Sequence, residues 1–496
     1  MKNRAVRICA IVMAIYLALG VAFYFIAGDS LHFTSNTSDS VSAKDHVGEI
    51  LAGTTVEQSF VCEFDTLESF TLTFGTFKRA NTDKLTVSLF NDRGEQLKTD
   101  TDTVATEAFE NPETDFVITQ IIQLIAPAQD ALGKTFTVRI ESTQGIPGNA
   151  VTLYHGNSID MLRGSVPVEI PENGEARLNG VAVTDLDGAP SMLCMKTGGN
   201  NNHWFGSYYW WFYAGSSVLV ALALFHALYC YKNGKKHPIL GVVLSIRKYN
   251  FLIRQLVARD FKTKYKRSVL GVLWSFLNPL LTMGIQYVIF STLFGNDIAH
   301  FPIYLLSGIV CFNFFSEAAS MCLMSIVGNA ALINKVYVPK YIYPFSRTLS
   351  SCINLALSMV PLLIMMLIEQ TPITPALLLL PFVFLMLFML SYGMGLILAT
   401  LMVFFRDTQF LWGIVSMLLM YLTPIFYSDS IIPDWFMPIY KLNPLYHILR
   451  FIRSILIDGV SLEPKAYLLC IVLCSIPLLL GLLIFHKKQN KFIFNI

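Results

Sequence analysis

The sequence predicts a multi-pass α-helical membrane protein of about eight spans, six of them in a carboxy-terminal block, with an all-β, sandwich-like domain inserted near the amino-terminal end. Three observations predict it. Uncharged apolar runs of about 20 residues recur along the chain, and that length crosses ~30 Å of hydrocarbon at 1.5 Å per residue. One long segment, 29–206, reads instead as short strands separated by turns. The charge divides the same way: residues 28–206 hold 25 Asp/Glu against 11 Lys/Arg, and the remainder holds 9 against 25. A chain of 496 residues that is 54% hydrophobic and 14% charged departs from the ~25% charge of a soluble domain. This composition excludes a soluble enzyme, a disordered chain and a nucleic-acid binder.

The runs are 8–28, 207–231, 268–294, 298–334 (broken by Glu317), 348–368, 376–405, 408–428 and 466–486. Lys and Arg beside short loops set orientation. Lys2, Arg4 and Arg7 precede the first run, and Lys232, Lys235 and Lys236 follow the second. Both termini are therefore expected in the cytoplasm, with 29–206 outside. Loops 295–300 and 369–375 lack Lys and Arg and fall outside as well. The expected divisions are an anchor at 1–28, the outer domain at 29–206, a second span at 207–231, a cytoplasmic linker with a basic helix at 232–267, and a six-span core at 268–496. The first run exceeds the 7–15 apolar residues of a signal peptide, so an anchor is favoured over a cleaved leader.

In the outer domain, 69–76, 84–90, 135–141 and 150–154 alternate polar with β-branched or aromatic residues. That period of two gives strands with one dry face. Turn residues at 91–94, 146–149, 172–174 and 185–190 separate them. Such a sandwich reads equally as a sugar-binding module or as a structural spacer. Cys62 and Cys194 lie here, either as a disulfide or as two buried thiols. Gly133-Lys134-Thr135 imitates the end of a phosphate loop, but Ala128 stands where the first glycine belongs. It reads as a turn. The nine histidines are scattered and no metal spacing occurs, so no cofactor is expected in this chain and its energy must come from elsewhere.

Residues 247–267 carry eight cations against Asp260 alone. Ile253, Val257, Phe261 and Tyr265 fall four apart, with Leu252 and Leu256 beside them. This predicts an amphipathic helix in the membrane interface among anionic headgroups.

The run from Arg259-Asp260-Phe261-Lys262 to Val272-Leu273-Trp274, then Leu277-Asn278-Pro279-Leu280, resembles the opening of permease subunits of type-2 ABC exporters. The likeness is to the branch that exports O-antigens, teichoic acids and capsules. It continues at Leu332-Ile333-Asn334-Lys335-Val336-Tyr337-Val338-Pro339-Lys340, at Phe404-Phe405-Arg406-Asp407, at Thr423-Pro424-Ile425-Phe426-Tyr427 and at Asn443-Pro444-Leu445. It covers about residues 245–496. The amino-terminal half departs from it, since a typical member begins near the basic helix.

The resemblance implies a homodimer docking two copies of a separate ATPase, which would bind ATP and Mg. It implies a lipid-linked glycan as substrate and membrane lipids as surroundings. Residues 329–343 suit a short helix stopped at Pro339, so Ile333, Asn334, Lys335, Val336, Tyr337, Val338, Pro339 and Lys340 are the expected ATPase-coupling element. Arg259, Asp260, Tyr265, Lys266 and Arg267 are expected at the cytoplasmic mouth. Aromatic faces suit a sugar conduit, and among Trp274, Tyr287, Phe312, Phe314, Phe315, Trp412, Tyr421, Phe426 and Tyr427 the last three are the first candidates. Glu317 is a carboxylate at membrane depth, a gate residue or a hydrogen-bonded packing residue. Residues 445–458, too short to span, read as a re-entrant pair of half-helices in which Arg450 and Arg453 meet phosphate or lipid headgroups. The alternatives are a membrane glycosyltransferase or polymerase, and a non-transporting envelope assembly protein with a sugar-binding outer domain.

Overall fold

The computed structural model describes the chain apart from residues 1, 39, 78, 107–116, 162–163, 168–169, 171–173, 186–187, 234–237, 267, 295–299, 430–431, 434 and 496. The chain forms two compact units, His32–Trp204 and Met1–Leu31 with Phe205–Ile496.

The His32–Trp204 unit is built of antiparallel strands in two large sheets. Thr55–Val61, Lys84–Phe90 and Thr135–Ser142 are neighbours in one sheet. Their alternation turns Val56, Phe60, Leu85, Val87, Leu89, Phe136, Val138 and Ile140 into a single core. Thr66–Gly75 lies in the other sheet between Val117–Ala128 and Met195–Asn202 and adds Phe70, Leu72 and Phe74 to that core. The expected turns close by backbone bonds: Gly94 N–H to Asn91 O at 3.0 Å, Asn149 to Ile146 at 2.9 Å and Gly188 to Asp185 at 3.0 Å. The turn expected at 172–174 begins outside the described residues. Gly133 adopts φ +74° and leads into a strand, as a turn should. The disulfide is not formed: Cys62 and Cys194 are free, buried thiols. Burial raises both thiol pKa values, that of Cys194 to about 12.

The second unit is helical. The helices are α1 (Lys2–Ala27), α2 (Trp204–Lys232), α3 (Pro238–Lys248), α4 (Asn250–Tyr265), α5 (Trp274–Phe294), α6 (Phe301–Leu323) and α7 (Ala330–Lys335). They continue as α8 (Ile342–Ile368), α9 (Leu380–Phe404), α10 (Thr408–Leu422), α11 (Met437–Tyr440), α12 (Pro444–Arg453), α13 (Pro464–Lys488) and α14 (Phe492–Asn495). Among the described residues seven are long and apolar enough to cross a membrane. The eighth, α10, has 15 residues, about 22 Å at 1.5 Å per residue. It stops because Pro424 drives Thr423 out of the helical region, to φ −96° and ψ 137°.

Four expectations are corrected. The span expected within 298–334 ends at Leu323, and a 3₁₀ turn, Val327–Asn329, leads into the short helix α7, which ends at Lys335 rather than at Pro339. Helix α8 begins six residues before the uncharged run, since Pro344 is tolerated in a first turn, and so it includes Arg347. The basic segment is two helices that break at Tyr249. Residues 445–458 form one helix, α12, extended by a π turn and ended by left-handed Gly459.

Helices α1 and α2 pack as a hairpin. The Tyr209 and Tyr213 hydroxyls donate to the carbonyls of Gly20 and Leu17, both at 2.7 Å. A Cβ on Gly20 would overlap the Tyr213 ring. Phe23 packs edge-on against Tyr467 of α13 at 5.1 Å, which joins the hairpin to the main bundle. In that bundle α9 and α13 touch backbone to backbone: a Cβ on Gly481 would sit 2.4 Å from the Gly393 carbonyl oxygen.

Candidate functional site

Helix α4 buries Ile253, Leu256, Val257 and Asp260, the i, i+3, i+4, i+7 stripe of an amphipathic helix. Its apolar part packs on Ile326, Ile333, Val338, Ile342 and Tyr343. The stripe thus meets protein, not the lipid surface expected for an interfacial helix. Phe261 and Tyr265 are half-buried farther along.

Asp260 ends that stripe as its one charge. Its Oδ1 accepts from Arg347 of α8 at 3.0 Å and from Arg259 at 3.2 Å. The Arg259 guanidinium also donates to Asn329 Oδ1 at 3.2 Å, beside α7. One turn on, Lys264 Nζ donates to Glu317 Oε1 of α6 at 2.8 Å, and Asn354 of α8 donates to the same oxygen at 2.6 Å. The Tyr265 hydroxyl donates to Asn354 Oδ1 at 3.1 Å and is hydrogen-bonded to the Ser275 hydroxyl of α5. The Glu317 carboxylate is therefore partnered by a cation and an amide.

Two clefts of about 620 and 520 Å³ flank this network and share Lys264, Glu317 and Asn354. Trp274, Asn278, Asn313, Ser316 and Ser320 line the second. Asn313, Ser316, Glu317 and Ser320 share one face of α6 by spacing, and Asn313 and Ser320 are exposed, although α6 is the most buried of the candidate spans. A helix that hides its apolar sides and bares its amides and hydroxyls faces water, a polar ligand or another polar surface, since lipid gives these groups no partner. Ser316 is bonded to Ser416 of α10 at 2.9 Å, and Trp412 Nε1–H donates to Ser320 at 2.9 Å. Among the described residues no three His, Cys, Asp or Glu converge as metal ligands.

The expected coupling element divides in two. Helix α7 ends at Lys335, four residues before Pro339, and Val336 is extended at φ −132° and ψ 129°. Ile333 and Val338 are buried among α4, α8 and α9 residues, whereas Tyr337 is 91% exposed. Asn334, Lys335 and Val336 are exposed beside it. Lys340 Nζ donates to the Gln489 carbonyl at 2.6 Å.

At the opposite end of α6 stands Arg453, buried and held without a carboxylate ion pair among the described residues. Its Nη2 donates to the carbonyls of Tyr304 and Ile425 at 3.2 and 3.3 Å, and its guanidinium lies 3.3 Å from the Tyr304 ring centroid. It secures the unwound segment after α10, so phosphate contact does not describe it here. Arg450 is exposed. Phe426 is buried and stacked on Phe290 at 5.3 Å, a packing residue. Tyr421 is exposed, and the half-buried Tyr427 donates to the Tyr421 carbonyl at 2.7 Å.

Of the residues expected at the mouth, Arg259, Asp260 and Tyr265 join one network, Lys266 is exposed where α4 ends, and Arg267 lies outside the described residues. Sequence reasoning missed Arg347, Asn354, Asn278, Asn313, Ser316 and Ser320. The α6 set carried a signal, polar residues recurring at 313, 316, 317 and 320.

Comparison with known proteins places these elements. Residues 252–457 match the model of a family described as ABC-2 type transporter. Over 252 residues the chain is 30% identical to an O-antigen export system permease protein RfbA of Klebsiella pneumoniae, covering 49% of this chain and 96% of that one. It is 28% identical to the protein of the same name in Myxococcus xanthus, covering 51% and 98%. It is 25% identical to the polysialic acid transport protein KpsM of Escherichia coli, covering 48% and 93%. The α1–α2 hairpin and the His32–Trp204 unit precede the matched residues.

Proposed function

The chain belongs to the ABC-2 type transporter family, and on that premise we propose that it is the permease subunit through which an ATP-driven exporter moves a lipid-linked polysaccharide across the bacterial cytoplasmic membrane. As such it is a transporter component rather than an enzyme, and hydrolysis belongs to a separate ATPase subunit. The observation that carries the reading is the polar face of α6. Asn313, Ser316, Glu317 and Ser320 are directed into a cleft shared with Trp274 and Asn278, and amides, hydroxyls and an indole face are the groups that handle a hydroxyl-rich polymer.

In this reading two copies of the chain meet two copies of the ATPase, which hold ATP and Mg. The exposed tip Asn334–Tyr337 receives the ATPase, and the buried Ile333 and Val338 pass its motion to α4, α8 and α9. Arg259, Asp260, Tyr265 and Lys266 form the cytoplasmic mouth, and Arg453 with Tyr421 and Tyr427 belongs to the outer gate. The Lys/Arg distribution supports cytoplasmic termini and an extracytoplasmic 29–206.

The test is reconstitution of the chain with its ATPase in proteoliposomes. Hydrolysis stimulated by a polyprenyl diphosphate-linked oligosaccharide, with glycan transferred across the bilayer, supports the proposal. The same activity from the isolated chain, without an ATPase, overturns it.

A further inference from the structure

We propose that the cleft between α5, α6 and α8 selects an uncharged, hydroxyl-rich glycan over a polyanionic one. This rests on the export reading and narrows its substrate class. The lining of the 520 Å³ cleft holds one cation, Lys264, and one carboxylate, Glu317, which neutralise each other at 2.8 Å. Arg259 and Arg347 line the adjoining cleft and share the single carboxylate of Asp260, so the one surplus cation lies outside the 520 Å³ lining. Helices α5, α6 and α10 contain no Lys or Arg at all. What remains open to a ligand is neutral: the exposed Asn278, Asn313 and Ser320 and the face of Trp274.

The amides and the hydroxyl both donate and accept, as sugar hydroxyls do, so a neutral chain exchanges its water for equivalent partners and lays a ring face on Trp274. A chain of uronates exchanges its water for dipoles without a free cation, and each carboxylate is desolvated uncompensated. It also approaches Glu317, whose repulsion grows as the local dielectric falls. A second copy of the chain across the conduit repeats the same one-to-one pairing of Lys264 with Glu317 in this lining.

The experiment uses the full chain with its ATPase in proteoliposomes and two probes on the same polyprenyl diphosphate carrier. One is a neutral hexose oligosaccharide, and the other is that oligosaccharide with its C6 hydroxymethyl groups oxidised to carboxylates. The expected result is at least tenfold greater glycan-stimulated hydrolysis and transfer for the neutral probe. Asn313→Lys with Ser320→Lys should narrow the ratio by raising uronate transfer. Equal transfer of both probes by the unaltered chain, or an unchanged ratio in an assembled lysine variant, overturns the selectivity alone. Failure of both probes overturns the export reading beneath it. Where the lysine variant does not assemble with the ATPase, the ratio for the unaltered chain decides.

Discussion

The carboxylate of Asp260 and the guanidinium of Arg347 meet at 3.0 Å and join α4 to α8 at a point where the Asp260 side chain is 3% exposed. Removing Asp260 leaves the Arg347 guanidinium, 21% exposed, without its carboxylate, at a cost of at most about 3–5 kcal/mol, whereas removing both together costs far less. Asp260→Ala is therefore expected to lower the thermal unfolding midpoint of the detergent-solubilised protein more than Asp260→Asn with Arg347→Gln. A double variant worse than the single one would refute the coupling.

Glu317 accepts from Lys264 and Asn354 through a single oxygen. Glu317→Gln keeps a carbonyl acceptor there, and Glu317→Ala leaves an ammonium and an amide unpaired. Hydrogen bonds to charged groups contribute about 1.5–3 kcal/mol, so the alanine variant should lose roughly tenfold or more in glycan transfer. The glutamine variant should lose only a few-fold. The transfer assay in proteoliposomes distinguishes them.

Tyr337 offers a bare ring on an extended tip, and nothing in the fold depends on it. Tyr337→Asp should abolish co-purification of the ATPase while leaving the unfolding free energy within about 0.5 kcal/mol of the parent, the range of an exposed substitution. Val338→Asp, by contrast, should destabilise the chain itself because that side chain is buried.

Cys62 and Cys194 should each take one maleimide after denaturation without reductant, and neither should react in the folded protein at pH 8. A thiol with a pKa near 12 has on the order of one part in ten thousand as thiolate at that pH. Because the chain has nine cysteines, peptide mass spectrometry locates the adducts, and a Cys62–Cys194 linked peptide two hydrogen atoms light would reveal a disulfide instead.

Much of this was readable from residue order. Alternation located Lys84–Phe90 and Thr135–Ser142 because one face of each strand is dry. Length and apolarity located seven spans because hydrocarbon thickness is fixed. The apolar periodicity of α4 was plain, but what covers it was not, since a stripe of Ile253, Leu256 and Val257 suits lipid and protein equally. Arg347 is not legible as part of a span because the uncharged run begins directly after it, at Thr348. Asn313, Ser316 and Ser320 escaped because uncharged polar residues hardly interrupt a hydropathy profile. The anchors of Arg453 are main-chain carbonyls, which no side-chain pattern reports.

The contact between Gly393 and Gly481 limits how this bundle can work. With one backbone seated against the other, α9 and α13 have no side-chain cushion over which to slide or roll, so they travel as a single rod. Any rearrangement that widens a passage must be accommodated by α5, α6, α8 and α10. Beside their shared apolar core, those helices also meet through hydroxyl and amide bonds, Ser316 to Ser416, Asn354 to Glu317 and Ser358 to the Ser275 carbonyl, which can be broken and remade.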